Sequence, residues 1–171
     1  MHWTAFALLP LLWLADRPQP TLPLCRAADA FLRTDRQMET VVEPDTVDDW
    51  RTKRRQFGCR ITAAGRTARG LQPEAVAFYE RVRASGWVRT PDPADSPNEG
   101  SLRFRTDGAD CLFNVYGDAM LMTDAELAVD ARVTPAAKET RYHVYVMCMP
   151  ALPAAPRDRT TAIQRARQSG V

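Results

Sequence analysis

Histidine and lysine are nearly missing from this sequence of 171 residues. The two histidines are His2 and His143, and only Lys53 and Lys138 are lysine among 23 basic residues. A three-histidine zinc site is therefore excluded. A Ser-His-Asp triad would have only His143 to use. For a Cys-His pair the nearest thiol is Cys148, an odd number of positions along the same strand and so on the opposite face. The short catalytic signatures are absent as well: GxSxG, the P-loop, GxGxxG, HExxH and the EF-hand loop. Neither CxxC nor CxxCH occurs, which removes a zinc knuckle, a thioredoxin-type redox pair and c-type haem attachment. Charge of one sign is not in excess: 23 basic residues face 21 acidic ones. That balance gives no case for a nucleic-acid binder. No uncharged apolar run approaches the ~20 residues of a bilayer span. No catalytic residue, metal or cofactor is assigned on these grounds.

What is present describes a globular chain. Hydrophobic residues make up 45% and charged residues 26%, the balance of one ordinary domain. The preference for Arg over Lys, with abundant Ala and 13 Pro, points to GC-rich bacterial coding. Trp3 to Ala15 is an uncharged apolar run of 13 residues. Its length suits the core of a signal peptide, although no basic residue precedes it and Trp13 is large for its place before the cut. The competing reading is a buried N-terminal helix. The expected organisation is a signal peptide over 1–15, a Pro-rich spacer over 16–22, an α+β domain over 23–149 and a flexible Pro- and Arg-containing tail over 150–171. A periplasmic or secreted location follows, with no stable membrane span once the signal is removed.

Four cysteines, Cys25, Cys59, Cys111 and Cys148, fit an oxidising compartment as two disulfides. The expected pairs are Cys25–Cys59 and Cys111–Cys148. Cys59–Cys148 with Cys25–Cys111 is the alternative if the last strand docks beside the first. Four buried thiols are the cytosolic reading.

The periodicities predict about four strands, mainly antiparallel, with helices on one face. A helix starts at Pro23 and runs to about Arg33, with Leu24, Ala27, Ala28, Phe31 and Leu32 on one side. Residues 34–49 are acidic and polar and read as loop. From Lys53 the alternation predicts a strand with Phe57, Cys59, Ile61 and Ala63 facing the core. Pro73 opens a second helix that buries Phe78, Tyr79 and Val82, ended by Gly86 in the left-handed cap position with Trp87 folding back. Residues 89–100 read as loop. Asp107-Gly108 predicts a two-residue hairpin turn. Its register sets Arg105 against Asp110, Phe104 against Cys111 and Leu102 against Phe113. Thr123-x-x-Glu126 is a capping-box pattern that suggests a helix near 124–130, with an edge strand over Val129–Val133 as the alternative. Residues 140–149 are the clearest strand, with Tyr142, Val144, Val146 and Cys148 inward.

The outward sheet face is the most informative expected surface. It would present Arg60, Arg103, Asn114, Tyr116, His143 and Tyr145, with Met147, a composition common at binding hot spots. Residues 117–139 or the N-terminal segment covering that face is the competing reading. From Trp50 to Gly70 the chain carries seven basic residues and no acid. That run faces acidic segments, or else forms a patch for an anionic envelope component. Met147-Cys148-Met149 spreads its sulfurs to both faces and is not a copper motif. The acidic loop at Asp92, Asp95, Asn98 and Glu99 lacks the spacing of a calcium loop. The expected function is non-enzymatic: an exported bacterial domain binding a protein or an anionic envelope component. The alternative is a small exported hydrolase using carboxylates such as Asp107 or Asp110.

Overall fold

The structure is a computed structural model that describes residues 22–49, 52–90, 101–106 and 108–153. The signal-like start, most of the spacer, the acidic loop at 92–99, Asp107 and the tail from 154 lie outside these residues.

Helix α1 (Leu22–Ala30) runs into a π-helical turn (Phe31–Asp35). Strands β1 (Glu39–Asp49) and β2 (Arg54–Thr67) follow, then α2 (Leu71–Ala84) and the short β3 (Val88–Arg89). The hairpin β4 (Ser101–Thr106) and β5 (Ala109–Tyr116) leads to α3 (Asp124–Arg132) and β6 (Thr140–Pro150). The strands form one sheet in the order β1-β2-β6-β5-β4-β3, and every pairing is antiparallel. The fold is α+β as expected, but the sheet has six strands rather than about four.

The larger correction is β1, which the polar composition made look like loop. Its acids are answered by the basic strand beside it. The register sets Glu43 against Arg60, Asp48 against Arg55 and Asp49 against Arg54. Glu43 and Arg60 form an ion pair at 3.0 Å, Asp48 and Arg55 one at 3.4 Å. An edge strand needs few apolar residues, tolerates Pro44 and is guarded from stray pairing by charge. Arg54, Arg55 and Arg60 of the basic run are thereby set beside acids of β1, and Arg60 is engaged by Glu43.

The core lies between the sheet and the layer of α1, the π-helical turn and α2. Phe78 sits at its centre, edge-on to Phe31 at 5.7 Å and tilted against Phe113 at 5.9 Å. Gly86 adopts φ +86°, and Trp87 then packs on Phe113 with centroids 5.5 Å apart. The Tyr79 hydroxyl donates to the Phe113 carbonyl at 3.1 Å. Burial pushes that phenol up to about 12. The hairpin register is the expected one, with Arg105 opposite Asp110 and Phe104 opposite Cys111.

Phe57 departs from expectation: it is 71% exposed. The β2–β6 ladder begins at Cys59, so residues 54–58 pair only with β1 and run past the helical cover. Gly58 marks that boundary. A Cβ there would collide with the carbonyl oxygen of Cys148, so the close approach of the two strands requires glycine.

Strand β6, which carries Cys148, lies between β2 and β5 and so neighbours both of the other cysteine-bearing strands. This position is why two connectivities were open from sequence. The structure joins Cys25 to Cys59 and Cys111 to Cys148, with Cα separations of 6.0 and 4.1 Å.

Candidate functional site

The sheet face away from the core is partly roofed. Helix α3 packs over β1 and β2, where Val129 and Val133 meet Ala64 and Val41. Polar side chains of β6 hold that roof in place. The Arg141 guanidinium donates to the Val133 carbonyl at 2.6 Å and to Asp130 at 3.0 Å. His143 stacks on Tyr116, with centroids 5.3 Å apart. Its Nε2 lies 3.0 Å from Asp130 and its Nδ1 2.8 Å from the Gly117 carbonyl. Both partners are acceptors, so one histidine ties helix, loop and sheet together.

The six expected binding residues therefore separate. Tyr116, His143 and Arg103 are buried, which removes them from an open surface. Arg60 is partly exposed but engaged by Glu43, Tyr145 is partly buried, and Asn114 is exposed. The roof over 117–139 was the competing reading, and it holds for half of this face. Asp110, a carboxylate considered for hydrolysis, is fully buried and takes two bonds from Arg105 at 2.6 and 2.8 Å. It also lies 3.5 Å from the Leu152 amide, which makes it a clamp on the hairpin end.

Sequence reasoning missed what the roof carries. Between β5 and α3, Met120, Leu121 and Met122 are 69%, 44% and 67% exposed, and Leu127 on α3 adds a fourth exposed apolar side chain. This apolar knuckle is held from beneath by Glu126, which is fully buried. One carboxylate oxygen accepts the Tyr116 hydroxyl at 2.7 Å and the Met120 amide at 3.2 Å. The other accepts the Met122 amide at 2.7 Å. Met122 itself sits at φ +52°, in the left-handed region disfavoured for a long side chain. Half of the capping box forms as the sequence implied: the Thr123 hydroxyl accepts the Glu126 amide at 3.2 Å. The glutamate side chain does not close the box. It reaches past the cap into the preceding loop. The signal was present in the Met-Leu-Met run before the box, but no periodicity distinguishes exposed from buried in three consecutive residues.

The electrostatics of this support are coupled. Burial pushes the Glu126 carboxyl up, but the Tyr116 hydroxyl and the loop amides outweigh it and hold the group below its ordinary value. The Tyr116 phenol is raised, first by burial and then by the same hydrogen bond. Acidic side chains flank the knuckle: Asp118 and Asp124 are exposed on either side.

A polar cleft of about 700 Å³ opens between the π-helical turn, the end of β2 and α2. Its floor is Glu74, which accepts the Thr67 hydroxyl at 2.7 Å and is paired to Arg36. Arg36 also donates to the Tyr142 hydroxyl at 3.1 Å and lies over the Phe78 ring. Glu139 on the rim pairs with Arg66 at 3.6 Å. The cleft is lined by four carboxylates, Asp35, Glu74, Glu80 and Glu139, of which Glu74 and Glu139 are paired with arginines.

Comparison of the chain with family models, with curated proteins and with solved structures finds no match. No helix among the described residues is long and apolar enough to cross a membrane.

Proposed function

We propose that this chain is an exported, non-enzymatic binding domain that docks a partner protein through the Met120–Met122 knuckle. The observation that carries the reading is the buried Glu126 holding three consecutive apolar side chains in water. Exposing that surface and placing Met122 in a strained backbone region both oppose folding. A buried carboxylate with three donors is a rigid support, and rigidity lowers the entropy lost on docking. Methionine side chains adapt their shape to an apolar partner surface. The flanking Asp118 and Asp124 fit a partner whose apolar segment is bordered by basic residues, and they disfavour an anionic membrane. Export rests on the two disulfides and the short apolar N-terminal run.

On the sheet face, Asn114 is exposed and Arg60, Tyr145 and Met147 are partly exposed, and these four can extend the docking surface. The test is a Met120→Ser/Met122→Ser double variant. Unfolding stability should stay within about 0.5 kcal/mol of the parent, as for exposed positions. Co-purification of the partner from the native host should be lost. Unchanged co-purification at unchanged stability would remove the knuckle from the binding surface.

A further inference from the structure

Burial divides the six methionines of the chain. All four cysteines are tied into disulfides, so no thiol competes for an oxidant and the thioethers are the sulfurs left open to attack. Met38 and Met149 are buried, Met147 is partly exposed on the sheet face, and Met1 lies outside the described residues. Among the described methionines, Met120 and Met122 alone stand in water over most of their surface. Both belong to the knuckle. Their backbone is fixed separately from their side chains, because Glu126 accepts the two amides from beneath at 3.2 and 2.7 Å. A change confined to the two sulfurs therefore leaves the support in place.

We propose that Met120 and Met122 are sites of reversible oxidation to methionine sulfoxide, and that this modification switches off docking by the knuckle. The switch rests on the knuckle being the docking surface. A sulfoxide turns a flexible apolar side chain into a polar, chiral one. Two of the four exposed apolar side chains here would then carry an oxygen that needs water or a donor. Burying that oxygen against an apolar partner without a donor opposes association. The flanking Asp118 and Asp124 only accept hydrogen bonds when ionised, so neither supplies one. The fold outlasts the same dose of oxidant, because Met38 and Met149, whose oxidation would put a polar group inside the protein, are covered.

The chemistry balances with hydrogen peroxide as the oxidant. The thioether lone pair attacks one peroxide oxygen. An S–O bond forms as the O–O bond breaks, the proton on the transferred oxygen passes to the departing hydroxide, and water leaves. Sulfur loses two electrons and the peroxide gains them. In the reverse direction two thiols of a methionine sulfoxide reductase supply two electrons and two protons. Their disulfide, water and the thioether are the products. Each sulfoxide epimer has its own reductase. Docking would thereby follow the balance of peroxide and reductase around the chain.

The test takes the full disulfide-bonded chain with a photoreactive side chain at Leu121. Dilute hydrogen peroxide is applied to the purified chain and removed with catalase, and sulfoxides are located by peptide mapping. Met120 and Met122 should oxidise at least about tenfold faster than Met38 and Met149, as exposure dictates. Near-UV circular dichroism and hydrogen exchange at the Met120 and Met122 amides should stay unchanged. Treated and untreated chains are then irradiated in an envelope extract of the native host. The discrete adduct of the untreated chain should fall at least about tenfold on oxidation and return after treatment with both sulfoxide reductases. Met120→Leu/Met122→Leu keeps the apolar surface and removes both oxidisable sulfurs, so its adduct should survive peroxide. Equal oxidation of exposed and buried methionines, or an adduct that persists with both sulfoxides in place, would overturn the switch and leave the docking surface standing. Loss of the adduct from the double variant as well, or altered amide exchange in the oxidised chain, would place the effect outside these two sulfurs and overturn it too. No adduct from the untreated chain would instead remove the docking surface on which the switch rests.

Discussion

Replacing Glu126 by glutamine keeps the size of the side chain and changes one oxygen into an NH₂ group. In the parent, one carboxylate oxygen serves Tyr116 and Met120 and the other serves Met122. The cheaper amide orientation keeps the oxygen toward Tyr116 and Met120. It turns the NH₂ toward the Met122 amide, so two donors then face each other. A buried donor without an acceptor costs about 1–3 kcal/mol. The two remaining bonds lose their charge assistance, which removes up to about 1 kcal/mol from each. Glu126→Gln should therefore destabilise the domain by about 2–4 kcal/mol at neutral pH, read by denaturant unfolding. Hydrogen exchange at the Met120 and Met122 amides should accelerate by more than it does in the sheet. The pH dependence supplies a second reading. The folded carboxyl is held below its ordinary value. Its contribution is thus complete above the unfolded value of about 4.3 and disappears as pH falls through the lower folded value. The difference between parent and variant should shrink across that acidic window. A cost below about 0.5 kcal/mol, with unchanged amide exchange, would refute the claim that Glu126 holds the knuckle.

Phe104→Ala should cost about 3–5 kcal/mol, whereas Phe57→Ala should stay within about 0.5 kcal/mol; equal costs in denaturant titrations would contradict the ends of the core described above. Gly58→Ala should destabilise by about 1–3 kcal/mol through collision with the Cys148 carbonyl, and a neutral effect on the melting temperature would show that β2 and β6 approach less closely. Removing the Cys25–Cys59 bond by double serine substitution should cost about 4 kcal/mol in the chain-entropy model for a loop of 34 residues, measured by unfolding at fixed pH.

Sequence alone carried the hairpin, both helices on the core side and the inward row of β6, because turn chemistry and periodicity act locally. Asp107-Gly108 set the register of β4 and β5, and Pro73 with Gly86 bounded α2. The acidic strand β1 was illegible for a physical reason. An edge strand is stabilised by its neighbour, and the arginines that answer Glu43 and Asp48 lie on β2. Phe57 looked like core because alternation marks a face and not where the covering layer ends. The site was less legible than the fold. Tyr116 and His143 have the composition of a binding surface, yet they serve as the floor on which Glu126 and Asp130 dock. The knuckle is fixed by the capping-box glutamate turning into the preceding loop, a contact that no local sequence pattern encodes.

Site-specific photo-crosslinking in the native host tests the docking claim most directly. A photoreactive side chain at Leu121 probes the knuckle, and one at the exposed Val76 of α2 serves as control. A discrete adduct to one protein should form from position 121 and not from position 76. Its crosslinked peptide should be apolar and bordered by Lys or Arg, and Glu126→Gln should reduce its yield. No adduct at 121, or equal adducts at both positions, would contradict the assignment of the knuckle as a docking surface.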